Sequence, residues 1–256
     1  VRPALCEFLY WMRRYRHTWL STVVISVLNP LLFLTGIGLG LGYLVDHTGN
    51  QPISGVTYLA FFAPGLLAAS VMQTAFLEAT RPVYEALHIN KIYRATAATP
   101  MRPADILSGH LLFIAFRLTT TSAVFILVMT ALSATKSAAD VLVLLAAVLT
   151  GLAFATPAAA LSAWVDRPEQ LETIFRFVIM PMYMFSGTFF SVTRLPDVLA
   201  QLAYVTPLWH GVELCRSLSL GTATPYSVLG HVAYLSTLAA LGAVVAARAY
   251  HLQLST

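Results

Sequence analysis

The chain has 256 residues, of which 58% are apolar and only 10% charged, with a formal net charge of +4. A soluble domain is nearer half apolar and about a quarter charged, so a water-soluble globule of this size is excluded and a bilayer is the solvent that accepts this surface. The basic residues are mostly Arg and sit beside apolar runs, which points to lipid headgroups and membrane topology and away from nucleic acid.

Residues 3–18 open the chain with Leu5, Phe8, Leu9 and Met12 at helical spacing, together with Tyr10, Trp11, Tyr15 and Trp19, which favour membrane interfaces. The pattern predicts an amphipathic helix lying in the headgroup layer; the competing reading is a longer first membrane helix. Arg, Glu and aromatic residues precede any long apolar run, which predicts no cleavable signal peptide. A membrane helix needs about 20 mostly apolar residues. Six segments are candidates: roughly residues 20–45, 56–77, 106–132, 141–165, 173–190 and 226–247, the fifth being short. Pro30, Pro64, Pro157 and Pro181 fall inside them and predict kinks.

Arg2, Arg13, Arg14 and Arg16 precede the first span, Arg81, Lys91, Arg94 and Arg102 lie between the second and third, Arg167 and Arg176 flank the turn between the fourth and fifth, and Arg248 follows the sixth. The alternate loops hold only Lys136, Arg194 and Arg216. This bias predicts that both termini are cytoplasmic. It also puts Cys6 and Cys215 on opposite sides, so they are not expected to pair.

Residues 81–105 form the longest polar segment on the cytoplasmic side of this topology. Pro100 disfavours helix at the residue before it, so a short helix is expected to end near Ala98. Ile89, Ile92 and Tyr93 form its expected apolar stripe, with Lys91 and Arg94 pointing elsewhere. Arg117 lies on the order of 16 Å along the third span from Ile106, where a lone charge is costly. Glu78, at the end of the second span, is the nearest acid and predicts an ion pair. Snorkelling to lipid and direct contact with cargo are the alternatives.

Residues 191–224 are too long for a tight turn and too amphipathic for a free loop. Pro196 and Pro207 divide them into two short helices expected to dip into the outer leaflet, with Glu213 and Arg216 at i,i+3. In the first span Asn29 and Thr35 accompany a run of Gly residues that lets helices approach closely. Gln73, Met180, Met182, Tyr183, Phe185 and Ser186 complete a pliable surface suited to greasy cargo, and equally ordinary as membrane core.

Two stretches carry a resemblance. One is Ala75-Phe76-Leu77-Glu78-Ala79-Thr80 with the polar run through Pro100-Met101-Arg102-Pro103 to Leu107. The other is P-x-x-x-F-S-G-x-F-F from Pro181 to Phe190, then Leu195-Pro196, then P-L-x-H-x-V-E-L-x-R from Pro207 to Arg216. Their order and spacing resemble the ABC-2 permease family, in particular its nodulation-factor and daunorubicin-type exporter branches, over nearly the whole chain. Trp209 and Gly211 depart from that pattern and leave the branch open.

The resemblance implies an all-α polytopic membrane protein, a single ABC-2 type transmembrane domain over residues 1–256 with six membrane helices, in the bacterial cytoplasmic membrane. It implies a second permease subunit, identical or a sister chain, and two nucleotide-binding subunits docked beneath. Glu85, Ile89, Ile92, Tyr93 and Arg94 then belong to a coupling helix seated on the ATPase, although a helix resting on lipid fits the same pattern. Phe189, Phe190, Leu195, Pro196, Pro207, His210, Glu213 and Arg216 belong to an external re-entrant hairpin that gates the pathway, or to a fixed plug. The expected cargo is an amphipathic drug, lipid or glycolipid moved outward among membrane lipids.

No G-x-x-x-x-G-K-[ST] occurs and the chain has only two Lys, so ATP and Mg are expected on the partner chain and none in this one. The seven His are scattered and no Cys/His cluster predicts a metal. An integral-membrane lipid or glycosyl transferase would gather acids at one face, and only the turn Asp166, Arg167, Glu169, Glu172 does so. A secondary transporter would show repeats and broken midplane helices, which these halves lack.

Overall fold

The computed structural model describes residues 3–41, 43, 56–135 and 139–254, with the side chains of residues 18–27, 29, 30, 38, 39 and 41 outside that description. The end of the expected first span beyond residue 43, the side chain of Asn29, and Lys136 therefore lie outside the described residues. Every regular element among the described residues is helical.

Helix α1 spans Pro3–Phe33 and continues with the wider π-helical geometry through Leu34–Leu41. A separate interfacial helix ending near Thr18 is thus not what forms: the segment runs unbroken into the first apolar stretch. Leu5 and Leu9 are exposed, whereas Glu7 and Trp11 are buried. Trp11 and Tyr15 lie against Phe113. Aromatic contact with a neighbouring helix fixes the face that carries Trp11 and Tyr15.

Helix α2 spans Tyr58–Tyr84 and continues as a π-helical turn, Glu85–Ile89. The Thr57 hydroxyl accepts from the Ala60 N–H and caps its start, satisfying one orphan donor. The second span therefore runs beyond Leu77, where its apolar run stops. Glu78 sits mid-helix, and Pro82 joins Pro64 as a proline inside α2. The chain breaks at Lys91, which adopts a left-handed φ of 51°, and helix α3 occupies Ile92–Ala97. Helix α4 spans Pro103–Ala131, α5 Asp140–Trp164.

The expected fifth span starts earlier and ends earlier than its apolar run. It consists of α6, Pro168–Ile174, a π-helical turn Phe175–Ile179, and α7, Met180–Phe185, after which Gly187 (φ 83°) turns the chain. Two short helices follow, α8 (Asp197–Val205) and α9 (Pro207–Leu220), and α10 closes the chain over Pro225–Leu254. Among the described residues, the helix containing α2, with α4, α5 and α10, supplies four helices long and apolar enough to cross a membrane.

Helix α5 is the hub, with α2 and α10 packed along it and α4 and α9 also touching it. Its composition explains this. Ala147, Ala153, Ala155, Ala159 and Ala163 are all fully buried, and small residues let backbones come close where lipid supplies no hydrophobic drive between helices. Glycines on the neighbours complete the contact. A Cβ on Gly242 of α10 would lie 2.7 Å from Pro157 Cδ and 2.8 Å from Pro157 N. Neither atom can yield, so Gly242→Ala is expected to destabilise by about 1–3 kcal/mol. Gly230 is the control on the same helix, since nothing lies within 4 Å of its Cβ. Thermal melting in detergent should fall for Gly242→Ala and hold for Gly230→Ala; equal melting of the two would remove Gly242 as the close-packing point.

Candidate functional site

Three places gather the polar side chains. The first joins α2 to α4. Arg117 Nη2 lies 3.1 Å and Nε 3.2 Å from Glu78 Oε1, and Arg117 is only 5% exposed. The guanidinium also stacks 4.7 Å over the Tyr15 ring, so one cation holds α1, α2 and α4 together. The acid was findable in the sequence because few acids stand near the apolar runs. Tyr15 was not, because α1 faces α4 only through tertiary packing.

The second centres on Arg216 of α9. Its Nη1 lies 2.6 Å from Glu213 Oε1, Nε donates to the Phe61 carbonyl at 3.1 Å and Nη2 donates to the Gly187 carbonyl at 2.7 Å. The Phe61 ring stacks 3.8 Å from the guanidinium carbon. The sequence pattern read as a helix-stabilising i,i+3 pair is thus a buried clamp between α9, α2 and the turn after α7. Phe61 lies in the turn of α2 that precedes Pro64. Phe189 packs on Phe62 and Tyr183, and the Tyr58 hydroxyl donates to its carbonyl at 3.1 Å.

Around this clamp, Ser186 is buried, and its hydroxyl meets the Thr206 hydroxyl at 2.9 Å. It stitches the end of α7 to the start of α9. Phe190 and Leu195 are half-buried and Pro196 is exposed, while Pro207 opens α9 as its first residue. The histidines are less scattered than their spacing suggests. His210 of α9 and His231 of α10 meet Nδ1 to Nδ1 at 2.8 Å, and the Tyr234 ring stacks 3.9 Å from His210.

The third is a cavity of about 620 Å³ between the end of α2 and α6 with its π-helical continuation. Phe76, Leu171 and Phe175 form apolar wall; Arg81, Glu85, Glu169, Glu172 and Arg176 bring charge to it. Of the expected pathway residues Met180 lines it. Gln73, Met182 and Tyr183 are half-buried and Phe185 is exposed. The exposed Thr35 donates its hydroxyl to the Leu31 carbonyl of its own helix at 2.5 Å.

The residues expected on the coupling helix separate. Glu85 is held by Arg14 at 3.5 Å and Arg81 at 3.3 Å. Ile89 is 61% exposed, Ile92 half-buried and Arg94 exposed, whereas Tyr93 is 0% exposed. The expected stripe of Ile89, Ile92 and Tyr93 does not form, because the left-handed Lys91 breaks the helical period between Ile89 and Ile92. Tyr93 turns inward, and Ile89, Lys91 and Arg94 are left on the surface.

These features define a helical membrane protein whose ion pairs lock helices together and whose cavity mixes apolar wall with charge. Residues 8–220 match the family model described as ABC-2 type transporter. Nodulation protein J of Rhizobium leguminosarum bv. trifolii is 31% identical over 215 residues, covering 82% of this chain and 80% of that protein. Nodulation protein J of Rhizobium meliloti (strain 1021) is 29% identical, covering 83% and 80%. The inner membrane transport permease YadH of Escherichia coli (strain K12) is 23% identical over 230 residues, covering 83% and 85%. The chain belongs to the ABC-2 type transporter family and is a transmembrane permease.

Proposed function

We propose that this permease is the membrane subunit of an ATP-driven exporter that moves an amphipathic drug, lipid or glycolipid outward across a bacterial cytoplasmic membrane. Six helices cross the bilayer, the first and fifth being α1 with its π-helical extension and the α6–α7 run. Both termini are cytoplasmic. ATP and Mg are bound by a separate nucleotide-binding subunit, present twice, and a second permease subunit completes the pathway.

The observation that carries this reading is the cavity beside α2. Its aromatic and aliphatic wall suits an acyl or polycyclic body, and its Arg and Glu side chains suit a polar head, which together fit an amphiphile. The cavity lies at the end of the molecule where Arg14 reaches Glu85. Arg13, Arg14, Arg81, Lys91 and Arg94 share this region, and a Lys/Arg excess favours the cytoplasmic side. The exposed Ile89, Lys91 and Arg94 surround the break before α3 and offer the ATPase a protruding contact.

The test is reconstitution of the chain with its ATPase subunits in lipid vesicles and measurement of ATP-dependent movement of a fluorescent lipid. Met180→Trp should narrow the cavity, lowering transport about tenfold while the subunits still co-purify. Arg94→Glu should weaken co-purification. Vanadate-sensitive ATP hydrolysis by the chain alone, or undiminished transport by Met180→Trp, would overturn the reading.

A further inference from the structure

Pro82 lies inside α2. In a regular helix the Glu78 carbonyl accepts from the backbone N–H four residues on, and at residue 82 there is no N–H to donate. His110 of α4 fills that vacancy: its Nε2 lies 3.1 Å from the Glu78 carbonyl oxygen. A carbonyl can only accept, so Nε2 carries the ring proton and Nδ1 presents a lone pair. The Tyr93 hydroxyl, 3.0 Å from Nδ1, is therefore the donor to it. Geometry alone assigns the tautomer, and both ring nitrogens are engaged.

The bonds join the parts of the fold least able to hold their own positions. Helix α3 has six residues and follows a left-handed break; a helix that short has no independent stability. Tyr93 is its buried residue, with its ring 5.8 Å from that of Tyr250 on α10. The turn of α2 around Pro82 has lost a backbone bond, which makes it the compliant point of that helix. His110 connects the two directly. Trp11 of α1 meets its ring edge-on at 4.4 Å, and the residue whose carbonyl it caps, Glu78, also holds Arg117 through its carboxylate.

We propose that His110 is a positioning residue of the transport cycle, the link through which movement of α3 reaches the proline-weakened turn of α2 and the Glu78–Arg117 pair. This rests on the ATP-driven reading above, in which the ATPase contacts the chain at the break before α3. Aromatic packing would hold α3 in place without direction. Two hydrogen bonds through one rigid ring transmit displacement along a fixed line, from the Tyr93 hydroxyl to the Glu78 carbonyl.

The test uses the complete chain with its ATPase subunits in vesicles, reading lipid transported per ATP hydrolysed. Tyr93→Phe removes one hydroxyl and keeps the ring; it should lower that ratio about fivefold, as expected for one net hydrogen bond, with hydrolysis by the complex little changed. Pro82→Ala restores the N–H to the Glu78 carbonyl, makes the His110 bond redundant, and should lower the ratio similarly without loss of stability. His110→Gln, which keeps a donor and an acceptor, should recover part of what His110→Ala loses. A second measurement needs no ATPase: amide hydrogen exchange over Ile92–Ala97 in the isolated chain should quicken in Tyr93→Phe and stay unchanged over Asp140–Trp164. An unchanged transport ratio in Tyr93→Phe overturns the proposal, whether or not exchange quickens, since quickened exchange alone makes the link merely structural. A wild-type complex without ATP-dependent transport overturns the exporter reading and this proposal with it, and that control separates the two failures.

Discussion

Arg216→Met is expected to be the most damaging single substitution in this chain. The variant strands the Gly187 carbonyl, which accepts from Arg216 at 2.7 Å, and removes the Arg216 donor from the Phe61 carbonyl at 3.1 Å. Each unsatisfied buried acceptor costs about 1–3 kcal/mol. The Glu213 side chain, 35% exposed, also loses its partner but can take up water, so the Gly187 carbonyl dominates. Arg216→Lys should recover little, because an ammonium is a point donor and the guanidinium reaches three acceptors in a fork. Glu213→Gln should be mild by comparison. Melting in detergent, followed by the fraction remaining monodisperse, measures the series. Wild-type melting of Arg216→Met would mean that the clamp does not hold α9 to α2.

Breaking the Glu78–Arg117 pair from one side should cost nearly as much. Arg117→Met leaves a carboxylate in low-dielectric surroundings, and Glu78→Gln leaves a guanidinium that is 5% exposed. Removing one partner of a buried pair costs about 3–5 kcal/mol, whereas replacing both can be close to neutral. The Glu78 side chain is 24% exposed, which places Arg117→Met at the lower end and makes Glu78→Gln the more severe single change. The double variant should regain much of the loss, giving an interaction energy of at least about 1 kcal/mol in a double-mutant cycle. Strictly additive losses would mean that the two groups do not act as a pair. A double variant that is stable but transports nothing would give Arg117 a working role beyond bracing.

Much of the architecture is local and therefore legible along the chain. Long charge-free stretches announce membrane helices because the bilayer core accepts little else, and Pro225–Leu254 and Asp140–Trp164 lie where those stretches are. The ends of helices are less legible. Helix α2 passes through Glu78 and Pro82 because His110 and Arg117 satisfy from outside the backbone carbonyl and the carboxylate that would otherwise end it in water. The fifth expected span shifts toward its N-terminus because Gly187, at φ 83°, and the Arg216 contact with its carbonyl terminate the helix before the apolar run is used up.

The sequence by itself determined that this protein lives in a membrane, that its apolar helices are many, and that Glu78 and Arg117 are natural partners, since composition, apolar run length and the scarcity of acids are properties of the chain. Only the tertiary structure decided which way Tyr93 points, that Arg216 is buried, and that His110 serves two masters at once. The physical reason is separation: Tyr93 meets His110 across 17 residues, Glu78 meets it across 32, and Arg216 meets Phe61 across 155. Periodicity assigns a face to a helix only while the helix is unbroken, and says nothing of which distant carbonyl a proline has left free for a neighbour to claim.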